Sequence, residues 1–218
     1  MQLPEYLSST FPGLVLAPPL FYSWPVAIRF DLNAEEAEHA YAETVLCRAT
    51  TLYESIFQPN DMCFLVSGIS HYISRSHSSP RSGPRFGNPQ RANIFQLSRR
   101  YALGLHGVAG RQRIIEHEDK NNDLVTTFRW TQITTRQIGY KFILNGLNQS
   151  RYRFRGLRID DQLYFVNCTR NIIFHMYDDR GADVIATKVD DLRSLYITHS
   201  GWILEYDRRR IDKVFVGD

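Results

Sequence analysis

The last third of the chain restricts the fold most. Gln162 to Asn167 (QLYFVN), Asn171 to Tyr177 (NIIFHMY) and Ala182 to Ala186 (ADVIA) are short runs with strand composition, separated only by turns. They read as a three-stranded antiparallel meander. In the middle run Ile172, Phe174 and Met176 face one way and Ile173, His175 and Tyr177 the other. Both faces are largely apolar, which predicts a central strand covered on both sides. Asp178-Asp179-Arg180-Gly181 fits a type I turn, with Asp first and Gly fourth, and Gly181 tolerates a positive φ there.

Upstream, Val26 to Leu32 alternates as a strand, and Ala34 to Phe57 carries apolar residues at helical spacing from Ala37 to Ile56. Asn33 with Glu36 resembles a capping box. Met62 to Val66 reads as a short buried strand, so the N-terminal third is β-α-β. Leu124 to Thr131 has strand composition, and Thr135 to Leu147 predicts a helix. Thr187 with Asp190 opens a further helix with a stripe of Val189, Leu192, Leu195 and Tyr196. Asp207 caps a last one that buries Ile211, Val214 and Phe215. The expected class is α+β: an antiparallel meander with flanking helices and an N-terminal β-α-β unit. It divides into residues 1–69, an Arg-, Ser- and Gly-rich stretch with a short helix (Ile94 to Leu105) at 70–120, and residues 121–218, within one compact domain.

Charge is uneven along this division. Residues 1–68 carry a balance of −6, residues 69–160 of +11 and residues 161–218 of −2, and 22 of the 26 basic residues are Arg. Ser70 to Asn93 holds Arg75, Arg81, Arg85 and Arg91 with no acid and reads as an extended loop. Arg75 to Arg113 interleaves with Phe86 and Tyr101, and residues 75–158 could bind nucleic acid, but no recognisable motif accompanies them, so a flexible solvated loop is the preferred reading. Cys47, Cys63 and Cys168 show neither CxxC nor zinc spacing. Buried reduced thiols, no charged leader and no apolar run long enough to span a bilayer together point to the cytoplasm. No cofactor or metal is expected, because no P-loop, GxGxxG, GxSxG or HExxH occurs.

The run IFHMYDDRGADVIA, then a helix, then WILEYDRRRIDKVF, spanning Ile173 to Phe215, resembles the C-terminal signature of a bacterial family known as domain of unknown function 3885. AIRFDL, Arg48-Ala49 and Ile56-Phe57 resemble its N-terminal part. The family name implies no established activity. Proteins of this sort often serve as immunity partners to secreted toxins, an analogy of genomic role rather than of chemistry.

Three groups of residues are candidates for binding. Asp178, Asp179, Arg180 and Asp183 surround one hairpin, as a metal, phosphate or acid-pair site would, although turn bonding also explains them. Trp202, Glu205, Tyr206 and Asp207 offer an aromatic platform beside acids; the structural reading buries Trp202 and Tyr206 and uses Asp207 as a cap. Arg208, Arg209 and Arg210 open a helix where its dipole disfavours cations, which suits either solvated pairs or an acidic partner. The leading expectation is a non-enzymatic protein-binding module, an immunity protein neutralising a cognate toxin. The alternative is a small enzyme or ligand binder acting on a phosphorylated small molecule through the DDRG turn and Tyr206-Asp207-Arg208. No membrane partner is expected.

Overall fold

A computed structural model of the 218-residue chain describes residues 1–33, 38–74, 94–95, 109–117, 122–148, 159 and 161–217. Seven strands form one sheet: β1 (Ala27–Asp31), β2 (Met62–Ser74), β3 (Gly110–His117), β4 (Asn122–Thr134), β5 (Gln162–Asn167), β6 (Ile172–Asp178) and β7 (Gly181–Ala186). Their spatial order is β1-β7-β6-β5-β2-β4-β3, and every neighbouring pair is antiparallel. The helices are α1 (Leu3–Thr10), α2 (Glu38–Ile56), α3 (Tyr140–Asn148), α4 (Val189–Thr198) and α5 (Arg208–Phe215). The class is α+β, and the three sequence segments all supply strands to the one sheet.

The meander of β5, β6 and β7 stands where strand composition and the turns placed it. Its middle strand is buried from Ile172 to Met176. The order strand-helix-strand also occurs at the N-terminal side, but β1 and β2 do not pair: β7, β6 and β5 lie between them. Instead β1 joins the hairpin from the far end of the chain, with Arg29 opposite Asp183 and Asp31 opposite Gly181. Its outer side is closed by a bridge from Phe30 to Ile203 and by the Leu204 amide donating to the Arg29 carbonyl at 3.0 Å.

Strand alternation gives the sheet two different faces. Ile28, Phe30, Val184, Phe174, Phe165 and Leu65 share one face by register. The aromatic cluster of α2 packs there, with Tyr53 edge-on to Phe165 and Phe174 and stacked at 4.3 Å on both Phe57 and Tyr140. The opposite face runs from Arg29 through Asp183 and His175 to Tyr164, Val66 and Trp130. The N-terminal segment covers this face. Tyr6 packs on Phe64, and the Phe21 amide donates to Asp183 Oδ2 at 3.0 Å.

Several boundaries differ from expectation for identifiable reasons. β2 runs on to Ser74, because a thirteen-residue ladder with β4 carries it through Ser67 and Gly68. The segment from Thr135 breaks into a 3-10 turn (Thr135–Gln137) before α3 starts at Tyr140. Thr187 and Asp190 form no capping box. Lys188 is the cap residue of α4, and the Thr187 amide still bonds to Asn171 at the end of the meander. Glu36, residues 75–93, residues 96–105 and Arg151, Arg153, Arg155 and Arg158 lie outside the described residues; Ile94 and Phe95 are helical and buried.

Gly181 is required for a reason other than the expected one. Among the described residues the positive-φ positions are Asn171, Gly13 and Gly217, and Gly181 is not one of them. A Cβ on Gly181 would lie 2.0 Å from the Tyr177 hydroxyl and 2.8 Å from the Phe30 carbonyl oxygen. The glycine lets Tyr177 lie across the hairpin and β1 approach closely. Gly181→Ala is therefore expected to destabilise the fold by about 1–3 kcal/mol, the usual cost of overpacking. Adding Tyr177→Phe should recover only part of that loss, since the backbone carbonyl cannot yield. Urea denaturation midpoints measure both, and a neutral Gly181→Ala would contradict the packing.

Candidate functional site

The cross-strand row on the second face ends in a built polar cluster. Arg29 lies opposite Asp183 on adjacent strands and grips it with a fork, Nε to Oδ1 at 2.8 Å and a second guanidinium nitrogen to Oδ2 at 3.1 Å. The third nitrogen reaches Asp207 Oδ2 at 3.5 Å, and Asp207 Oδ1 accepts the Tyr22 hydroxyl at 2.8 Å. That bond raises the pKa of Tyr22 above its usual value. Asp183 is fully buried and Asp207 nearly so. Phe21, Tyr22 and Tyr177 place their rings 4.8–5.7 Å from the Arg29 guanidinium carbon, and Arg210 sits over the Phe21 and Tyr22 rings from its own side.

Beside this cluster a cleft of about 790 Å³ opens at the Asp-Asp-Arg-Gly end of the sheet. Arg29 and Asp31 of β1, Gln162 of β5, and His175, Tyr177 and Asp178 of β6 line it. Arg180 from the turn, Asp161, Asn33 and the apolar side chains of Pro18, Pro19, Leu147, Ile159 and Leu204 complete the wall. Its size is that of small-molecule sites. His175 is stacked on Tyr164 at 4.3 Å, with Nδ1 2.8 Å from the Leu163 carbonyl oxygen. Burial pushes its pKa down. Burial likewise pushes the Tyr177 hydroxyl up to about 12.

The residues singled out by sequence divide among three places. Asp178 and Arg180 line the cleft and are bound to each other: Asp178 Oδ1 accepts the Arg180 amide at 2.8 Å and Oδ2 accepts its guanidinium at 2.8 and 2.6 Å. Asp179 is buried, where Tyr41 of α2 donates to its carboxylate at 3.1 Å. Trp202 is half-buried, stacked on His199 at 4.7 Å under the Arg48 guanidinium. Tyr206 was expected in the core and is 86% exposed. It is the middle residue of a 3-10 turn (Glu205–Asp207) whose last side chain is the buried one. Asp207 occupies the cap position of α5, yet its side chain makes no capping bond, because Tyr22 and Arg29 hold it. Arg208 bonds Glu205 and the carbonyls of Ser200 and Ile203; Arg209 is exposed.

Arg29, Tyr22, His175 and Tyr177 were not picked out from sequence. The available signal was Arg29 itself, a charge in the middle of an alternating apolar strand and the first basic residue of the chain. Among the described residues no group of three or more His, Cys, Asp and Glu side chains could hold a metal ion. No helix among them is long and apolar enough to cross a membrane. The three cysteines are free thiols. Cys47 is exposed rather than buried, whereas burial pushes Cys63 up to about 12 and Cys168 up to about 11.

Fold and cleft thus define an α+β protein built on one antiparallel seven-stranded sheet, with its polar cluster tying the first strand to the last hairpin. The chain belongs to the family described as domain of unknown function (DUF3885), whose model matches residues 3–207. All the cleft-lining residues and the whole Arg29–Asp183–Asp207–Tyr22 cluster fall within the match. The chain is also similar to the uncharacterized protein YnaE of Bacillus subtilis (strain 168), at 24% identity over 223 residues covering 94% of this chain and 99% of that protein. No solved structure matches it.

Proposed function

We propose that the protein is a non-enzymatic protein-binding module, an immunity protein that neutralises a cognate bacterial toxin in the cytoplasm. The observation that carries this reading is the presentation of Tyr206. Single exposed apolar groups are ordinary on protein surfaces. Tyr206, however, is held out at 86% exposure by the residue that follows it, since Asp207 is pinned beneath it by Arg29 and Tyr22. Exposed Arg209 and half-buried Arg208 flank this pinned turn. An exposed tyrosine on a backbone turn pinned at the next residue, beside arginine, has the composition of an interface anchor.

Co-expression with the product of the neighbouring gene tests the proposal. Growth arrest by that product should be relieved, and the two proteins should co-elute. Tyr206→Ala should weaken the complex about tenfold or more, as loss of an anchor does, while the fold stays unchanged. Continued arrest together with no complex would reject the immunity role.

The phosphorylated-ligand alternative draws on the cleft alone. Among the described residues, Tyr206, Asp207 and Arg208 do not line it, and the two arginines that do are each bonded to carboxylates. A phosphate held there would have to share those guanidinium groups with their carboxylates.

A further inference from the structure

The surface around Tyr206 holds two cations that the fold itself does not use. Arg209 and Arg210 are exposed in the first turn of α5, where the helix dipole disfavours positive charge. Their neighbour Arg208 is spent on Glu205 and two carbonyls. Among the described residues neither Arg209 nor Arg210 donates to a carboxylate or a carbonyl. Arg210 is nevertheless held in place. Its guanidinium carbon lies 5.0 Å from the centroid of the Phe21 ring and 5.2 Å from that of Tyr22. A ring face attracts the charge and uses none of the five N–H donors. Aromatic packing thus positions this guanidinium and leaves its hydrogen-bonding capacity unspent.

The two tyrosines belong to the same patch. The Tyr22 hydroxyl donates to Asp207, the residue after Tyr206, and Tyr22 is 43% exposed. Tyr206 is near enough to add to the upward shift of the Tyr22 hydroxyl. The charges then select the occupant. Residues 1–68 and 161–218, which supply the patch, carry balances of −6 and −2. The Glu205 side chain stands 84% exposed at its margin. Two arginines in that setting are a small positive island. A nucleic acid lays successive phosphates along a surface and would bring some of them against Glu205. A carboxylate on a protein loop suits the island better: it takes the guanidinium fork, while an apolar side chain beside it covers the tyrosines.

We propose that Arg209, Arg210, Tyr206 and the exposed part of Tyr22 form a docking surface for an acidic loop of a partner protein, with a carboxylate received by the Arg210 guanidinium. The assignment rests on the reading of Tyr206 as an interface anchor and adds the chemistry of what that anchor meets.

The test uses the full chain, ¹⁵N-labelled, and reads the Nε–Hε resonances of Arg209 and Arg210. The probes are acetyl-Phe-Glu-amide, its neutral counterpart acetyl-Phe-Gln-amide, and a short oligothymidylate. The glutamate peptide should move the Arg210 resonance saturably and more than the glutamine peptide does, with an effect that shrinks as salt rises. Equal shifts from both peptides, or no shift from either, would overturn the assignment. Tighter binding of the oligothymidylate would also overturn it, by making nucleic acid the occupant. In the complex with the neighbouring gene's product, Arg210→Gln should weaken binding about tenfold or more, and Arg210→Lys, which keeps the charge without the fork, by less. Arg209→Gln leaves the packing of Arg210 on Phe21 and Tyr22 untouched and should weaken binding several-fold. A complex whose affinity survives all three substitutions overturns this surface while the immunity role stands. No complex, with the two peptides still discriminated, rejects the immunity role and supports the surface as the dock of a different acidic protein.

Discussion

Replacing Arg29 with methionine is expected to cost about 3–5 kcal/mol of stability, the range found when one partner of a buried ion pair is removed. The reason lies in what remains. Asp183 is fully buried and takes two of its three bonds from Arg29; only the Phe21 amide would still serve it. Asp207 would keep Tyr22 alone. Arg29→Lys should fall between wild type and methionine, because a lysine keeps the charge but cannot make the fork. Arg29→Met combined with Asp183→Leu should recover much of the loss, since the uncompensated charge goes with its partner. Urea unfolding of wild type, Arg29→Met, Asp183→Leu and the double variant gives the coupling as a double-mutant cycle. An Arg29→Met protein as stable as wild type would mean the pair holds nothing together.

The second large effect is expected at Tyr53, where two substitutions should have opposite signs. Tyr53 is 1% exposed and touches Phe57, Tyr140, Phe165 and Phe174, so it joins α2, α3 and the sheet. Tyr53→Ala should cost about 3–5 kcal/mol from lost burial and the cavity left behind. Its hydroxyl, however, has no hydrogen-bond partner among the described residues. Burial pushes its pKa up strongly, the same desolvation seen from the side of ionisation. Tyr53→Phe removes that unsatisfied group while keeping every ring contact. It should be neutral or stabilising by about 1 kcal/mol. A marked loss in Tyr53→Phe would show that the hydroxyl is bonded after all.

The meander was legible because its information is local. Each of β5, β6 and β7 carries its own strand composition, and the Asp178-to-Gly181 turn lies between the last two. β3 (GRQRIIEH) was not, since Arg111, Gln112 and Arg113 are exposed on a strand at the end of the sheet and leave little apolar pattern. α1 escaped notice for a similar reason. It is eight residues long with a proline in its first turn, and only Leu3 and Tyr6 are buried. The candidate site was legible in its turn and illegible in its core. Asp178 and Arg180 are two residues apart, whereas Arg29 meets acids 154 and 178 positions away. A buried pair of that span leaves no mark in local spacing. Asp207 shows the converse error, a residue in the right position for a helix cap whose side chain a distant tyrosine and arginine had claimed.

The edge position of β1 has a consequence for biosynthesis. Among the described residues its ladder partner is β7, which is synthesised some 154 residues later. At elongation speeds of about 5–20 residues per second, the wait is on the order of ten to thirty seconds. Throughout that interval Ile28 and Phe30 lack the strand beside which they lie in the finished fold.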